Sequence, residues 1–455
     1  MKTTNSFHEH KQVVDQNPLP LPPGHFGFPF IGETISFLQD PDFVRKRKQK
    51  YGNIFKTHLL GCPTIVMIGA EANQFLLTNE NRYFCSNWPY STRVLVAGNS
   101  LSGATGSKHL QGRKLLSQAF QPRALSGYVS AMADITHSYL RKWEQIGDLT
   151  WYPELRKYTF DVASKLLVGV DGGANELVVE WFELYSQGVL AIPVALPWTR
   201  FGRALKARQK LLAKVEQIIQ KRQQQTELGE DILGILLQAK DEEGNQLSLG
   251  ELKDQILLLL FAGHDTLTSA LSYFCLLLAQ NKDVLQTARR EQQQLGFKEL
   301  FTLDNLKQMT YLEQVLKEVL RLQPPASGGF RQVLQSCEFN GYSIPQGWSV
   351  LYRIIETHQD TCIYTEPENF DPQRFDPFRS EDKTKSFSHI PFGGGVRECL
   401  GKEFARLEMK LFAALLIREY DWELVPQQNQ DRVVSPVPHP RSGLQVKFKR
   451  LSTDA

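Results

Sequence analysis

The stretch Phe392-Gly393-Gly394-Gly395-Val396-Arg397-Glu398-Cys399-Leu400-Gly401 places three glycines, an arginine and a cysteine directly before an apolar helical pattern. Glycines let a loop lie flat against a planar object and turn tightly. A thiolate at a helix N-terminus is stabilised by the macrodipole and by amide N–H groups, so Cys399 is placed for thiolate chemistry. Arg397 would hold an anionic group beside it. A phosphate loop does not fit, because Lys402 follows Gly401 but Glu403 comes next, so no G-x-x-x-x-G-K-[ST] can be drawn.

A second constellation, Ala262-Gly263-His264-Asp265-Thr266, interrupts the strongly apolar stretch 256–279. That stretch has about the ~20 residues a membrane span needs. A mid-bilayer aspartate costs about 2.5–3.5 kcal/mol, and Ser269 and Ser272 follow it, so the better reading is a long helix through a protein core. An acid buried there is costly unless it is used or paired.

The elements that must position these residues are coarsely legible. The chain has 455 residues, 42% hydrophobic and 22% charged, which excludes disorder, collagen and a multi-span membrane protein. A net charge of +3 from 52 basic and 49 acidic residues gives no bulk field for nucleic acid. The cysteines are scattered with no C-x-x-C pair, which argues against a zinc knuckle and for a reduced, cytoplasmic setting. Residues 1–17 are polar with no apolar core, so no signal peptide or transmembrane anchor is expected.

Residues 1–23 read as a polar, proline-rich lead-in and 24–455 as one domain. Helices are expected near 41–52 and 71–78, over 162–169, 176–190, 203–225 and 232–237, and over 401–419. A β-rich minority is expected from about 50–80, 330–352 and 421–449. The fold class is therefore mainly α with a smaller β-rich part. An apolar, proline-punctuated loop occupies 192–198.

The cysteine loop matches F-x-x-G-x-R-x-C-x-G, and on it the chain resembles the cytochrome P-450 (haem-thiolate monooxygenase) family. Three further motifs agree in order and spacing. Glu318-Val319-Leu320-Arg321 resembles the family's E-x-x-R and Asp371-Pro372-Gln373-Arg374-Phe375 its P-x-R-F segment, implying a structural network of Glu318, Arg321 and Arg374. Ala262 to Thr266 resembles A-G-x-[DE]-T, implying Asp265 and Thr266 as the acid–alcohol pair that delivers protons to bound dioxygen. His109-Leu110-Gln111-Gly112-Arg113 stands where the family usually has W-x-x-x-R, His109 replacing the tryptophan. The resemblance implies a long central helix over a buried haem b (iron protoporphyrin IX), with Cys399 as proximal iron ligand. His109, Arg113, Arg331, Phe392, Gly395 and Arg397 are the implied cofactor-binding residues.

Within the family the chain is most similar to the retinoic-acid hydroxylases. The segments carrying this are 325–331, 339–348, 390–395 and 401–405, with Asn87-Trp88-Pro89-Tyr90-Ser91-Thr92-Arg93. The resemblance implies that Arg93 faces a ligand carboxylate, and Trp88, Phe261, Ala262, Gly263 and Gly328 are the other substrate candidates. The lack of an anchor points to a soluble, bacterial (cyanobacterial-type) relative. The expected reaction is hydroxylation of retinoic acid or another isoprenoid or sterol-like substrate; a non-catalytic haem sensor or retinoid carrier is the reading from another class. Lys402, Arg406 and Lys410 recur every four residues and so share a helix face. They are either a docking patch for an acidic electron carrier such as ferredoxin, or a solvated face with Glu403 and Glu408 nearby.

Overall fold

A computed structural model describes residues 19–173, 176–297, 301–434 and 437–451. Residues 1–17, the polar part of the expected lead-in, lie outside the described residues.

The apolar stretch around Asp265 lies in a helix, Leu249–Gln280. A capping box starts it: Glu251 N–H donates to Ser248 Oγ, and the Glu251 carboxylate accepts Ser248 N–H. The helix is long and apolar enough to cross a membrane, but 67% of its apolar window is buried inside the protein. Helices Trp151–Val168, Arg200–Gln223, Thr310–Leu322 and Lys402–Glu419 pack on it. Two of its polar residues find a partner within this packing, as Thr159 Oγ1 lies 2.9 Å from His264 Nδ1 and 2.8 Å from Thr268 Oγ1.

Both ends of the chain feed the sheets. The larger sheet runs Ile54–Leu59, Cys62–Ile68, Ser349–Arg353, Gly328–Val333, Phe84–Ser86 in spatial order. It is antiparallel except where Cys62–Ile68 pairs in parallel with Ser349–Arg353, Val66 opposite Leu351. Gln445–Arg450 pairs between Asp148–Thr150 and Tyr420–Leu424. The mainly helical fold with a smaller sheet part is as expected. The strands Phe84–Ser86 and Asp148–Thr150 are additions; three residues are too few to display alternation. Helix Trp151–Val168 starts well before 162, since Pro153 is tolerated in a first turn. In the loop 192–198, Ile192 and Trp198 are exposed.

Candidate active site

The site is built on a buried ionic frame. Glu318 and Arg321 lie one turn apart on helix Thr310–Leu322, and Arg321 Nε donates to Glu318 Oε2 at 2.7 Å. Arg374 Nε donates to Glu318 Oε1 at 3.0 Å. All three are fully buried, so every charge needs a partner. Arg374 finds a second in Glu381, at 2.7 Å, which sequence reasoning missed. Backbone carbonyls of His358, Thr365 and Asn369 take remaining N–H groups, so the frame fixes the irregular segment before the cysteine loop.

In the loop, Cys399 N–H returns to the Phe392 carbonyl at 2.9 Å, folding the glycines into a hairpin-like turn ahead of helix Lys402–Glu419. Gly393 and Gly395 have φ of 71° and 62°, a region that favours glycine. A Cβ on Gly395 would lie 2.1 Å from the Leu77 carbonyl oxygen, so that glycine is required by protein packing; a Cβ on Gly393 would meet nothing within 4 Å. The Cys399 side chain is accessible yet hemmed in, and desolvation pushes its thiol pKa up, opposed by a backbone N–H from Gly401 and by Arg113. Phe392 is half-buried against the main core.

Beside the loop lies a polar cluster. Arg331 Nε and Arg397 Nε each donate at 2.9 Å to one carboxylate, Glu80, which the sequence did not single out. His109 is 1% exposed and its Nδ1 has no hydrogen-bond partner among the described residues. Desolvation, Arg397 and Arg113 lower its pKa to about 4, so it is neutral near pH 7. Arg113 has no ion-pair partner among the described residues.

On the central helix, the Ala262 side is open. Ala262 is exposed although it lies midway along a core helix, and a Cβ on Gly263 would meet no atom within 4 Å. Thr266 is half-buried and donates from Oγ1 to the Ala262 carbonyl at 2.6 Å. Asp265 turns away: its Oδ2 accepts Ser186 Oγ–H at 2.7 Å and its Oδ1 lies 3.5 Å from Arg156. The acid and the alcohol are thus neighbours in sequence on different sides of the helix. Desolvation raises the Asp265 pKa, opposed by Arg156 and Ser186.

The substrate candidates divide. Phe261 packs edge-on against Tyr185 at 5.5 Å. Trp88 donates its indole N–H to the Ser102 carbonyl at 2.9 Å. Arg93 is exposed, its guanidinium 5.4 Å from the Tyr90 ring centroid, with no ion pair among the described residues. Gly328 is set by the sheet, since a Cβ there would lie 2.1 Å from the Tyr352 carbonyl oxygen.

The expectation of a three-residue basic face needs correction. Lys410 is buried, pairing with Glu313 at 2.8 Å and donating to the Leu306 carbonyl at 3.0 Å. The helix Leu303–Gln308 covers it. Lys402 and Arg406 remain part-exposed, paired with Glu398 and with Glu313 and Glu403.

These residues suit an iron porphyrin. The accessible Cys399 thiol would supply a ligand to the iron, glycine-lined open space would admit a flat apolar group, and the His109 nitrogen and Arg113 would be donors for its carboxylates. Comparison with known proteins agrees. A sequence model of the family described as "Cytochrome P450" matches residues 22–448. The chain is 52% identical over 435 residues to "Putative cytochrome P450 120" of Synechocystis sp., covering 96% of this chain and 98% of that one. It is 38% identical over 451 residues to cytochrome P450 26B1 of Homo sapiens, covering 96% and 88%. A solved structure titled "Retinoic acid bound cyanobacterial CYP120A1" superposes with a TM-score of 0.91 at 52% identity, covering 95% of this chain and 100% of that one. The chain belongs to the cytochrome P450 family and is a haem-dependent monooxygenase.

Proposed function

We propose that this protein hydroxylates retinoic acid in the cytoplasm, holding haem b through the thiolate of Cys399. The observation that carries the reading is the accessible Cys399 thiol, held by the turn back to Phe392 just before helix Lys402–Glu419, in a chain 52% identical to one solved with retinoic acid bound.

Bound haem supplies dioxygen activation and insertion of one oxygen atom into a C–H bond, with two electrons and two protons reducing the other atom to water. The protein's part is positioning and proton handling. Arg113, His109, Arg331 and Arg397 hold the propionates. Ala262 and Gly263 leave room on the open side of the central helix, where Thr266 presents its hydroxyl. Asp265 is the proton store behind it, reached from the Arg156 side and released to Thr266 by side-chain rotation. Arg93, with no acidic partner among the described residues, takes the ligand carboxylate, while Trp88, Phe261 and the strand end at Gly328 border the isoprenoid chain. An acidic carrier of the ferredoxin type delivers electrons at Lys402 and Arg406.

The test is an optical titration of the ferric protein with all-trans-retinoic acid. A saturable shift from low-spin to high-spin haem is expected, with affinity falling about 10-fold or more in Arg93→Ala, the loss of one charged hydrogen bond. No shift, in a protein whose reduced carbonyl complex still reports thiolate ligation, would keep the monooxygenase and discard the retinoid.

A further inference from the structure

Glu80 lies just after helix Ala70–Thr78, and its side chain is 2% exposed. Its Oε1 accepts Arg397 Nε–H at 2.9 Å and Ser86 N–H at 3.0 Å; its Oε2 accepts Arg331 Nε–H at 2.9 Å. One terminal nitrogen of each arginine is also bound: Arg397 Nη2 to the Ala104 carbonyl at 2.7 Å, Arg331 Nη1 to the Phe330 carbonyl at 2.9 Å. Arg397 Nη1 and Arg331 Nη2 keep no acceptor among the described residues. One carboxylate therefore fixes the orientation of two guanidiniums and leaves a donor free on each. The charges point the same way. Arg113, Arg331 and Arg397 bring three positive charges and His109 is neutral, while a porphyrin's two propionates bring two negative ones.

We propose that Glu80 is a positioning residue of the haem site: it aims Arg331 and Arg397 at the propionates, and its charge makes the loaded pocket neutral. This rests on the haem reading above. Preorganised donors bind without a reorganisation cost, and a partner behind a group that touches the cofactor tunes affinity and potential.

The experiment compares haem-loaded wild type, Glu80→Gln and Glu80→Asp by haem transfer to excess apomyoglobin and by midpoint potential. Glu80→Gln is expected to lose haem about 10-fold faster, the lower end of such outer partners, and to shift the potential upward, since an added positive charge favours the reduced iron. Glu80→Asp keeps the charge but shortens the reach, so haem loss is faster while the potential stays at the wild-type value. Unchanged haem loss in either variant overturns the positioning role, and an unmoved potential in Glu80→Gln overturns the charge role. If Glu80→Gln does not fold, Glu80→Asp decides: unchanged haem loss rejects the proposal. The reduced carbonyl spectrum of the wild type tests the haem-thiolate reading separately, because it does not depend on Glu80.

Discussion

The imidazole Nε2 of His358 accepts the backbone N–H of Ile390 at 3.0 Å. That bond leaves the ring proton on Nδ1, which faces the Arg321 carbonyl at 3.1 Å, while Arg321 Nη1 donates back to the His358 carbonyl at 2.7 Å. Ile390 in turn receives the Gly393 N–H at 2.9 Å. A neutral histidine thus joins the Glu318–Arg321–Arg374 frame to the first turn of the cysteine loop. Full burial keeps its pKa well below the usual histidine range.

Replacing His358 with phenylalanine leaves the Ile390 N–H and the Arg321 carbonyl buried without partners. Each orphaned group costs about 1–3 kcal/mol, so the unfolding free energy measured in urea should fall by about 2–6 kcal/mol, and haem retention should fall with it. Wild-type stability in His358→Phe would show that the loop is anchored elsewhere.

Two loop glycines should respond differently. Gly393→Ala places a side chain at φ 71° with no neighbour, costing the haem-free protein about 1–2 kcal/mol. Gly395→Ala adds a collision with the Leu77 carbonyl, so the loop itself must move. Equal thermal stability of the two haem-free variants would contradict this geometry. Haem uptake separates them further: Gly393→Ala should fold yet load poorly, because its open side is where the flat cofactor is proposed to lie.

The cysteine loop was legible because its whole chemistry lies within one short segment, and helix Leu249–Gln280 because its apolar run is long. Glu80 was not legible: its partners stand 251 and 317 positions away, and only the fold brings them together. Lys410 misled because four-residue spacing fixes a helix face but not what covers that face; helix Leu303–Gln308 packs over its end. Asp265 and Thr266 were read as a pair from the resemblance to A-G-x-[DE]-T, a linear pattern that does not show where each side chain points; successive helical residues point about 100° apart, which puts the acid against Ser186 and the alcohol on the open side.

The corrected basic face makes a kinetic prediction. Lys402→Glu and Arg406→Glu should raise the apparent KM for an acidic carrier with little change in kcat, more at low salt than at high. Lys410→Ala should leave that KM alone and lower the melting temperature, since it strips partners from Glu313 and the Leu306 carbonyl. A carrier effect confined to Lys410 would restore the original face.

His109 gives the haem-free protein a defined pH response. Its folded pKa of about 4 lies below the usual 6.5, so the unfolded chain binds more protons between those values. Its contribution to stability is present above about pH 6.5 and is lost as pH falls towards 4. His109→Gln should flatten that part of the stability profile. An unchanged slope between wild type and variant would show that His109 does not titrate on unfolding in this window.

Asp265 separates function from folding. Desolvation raises its pKa, so relative to a neutral group it favours the fold at acid pH, and this contribution is lost as pH rises through the folded value. Its Oδ1 has no hydrogen bond among the described residues and only the 3.5 Å approach of Arg156, so burial outweighs pairing and a charge there is a cost to the fold. Asp265→Asn keeps the shape and an acceptor for Ser186 while removing the proton. Its melting temperature at pH 7 should equal or exceed that of the wild type, while turnover falls by about 10²-fold, as for a lost proton-transfer group. Reductant consumption should continue without matching product. If stability instead falls in step with turnover, Asp265 is a structural partner of Arg156 and Ser186, and the proton must reach Thr266 by another route.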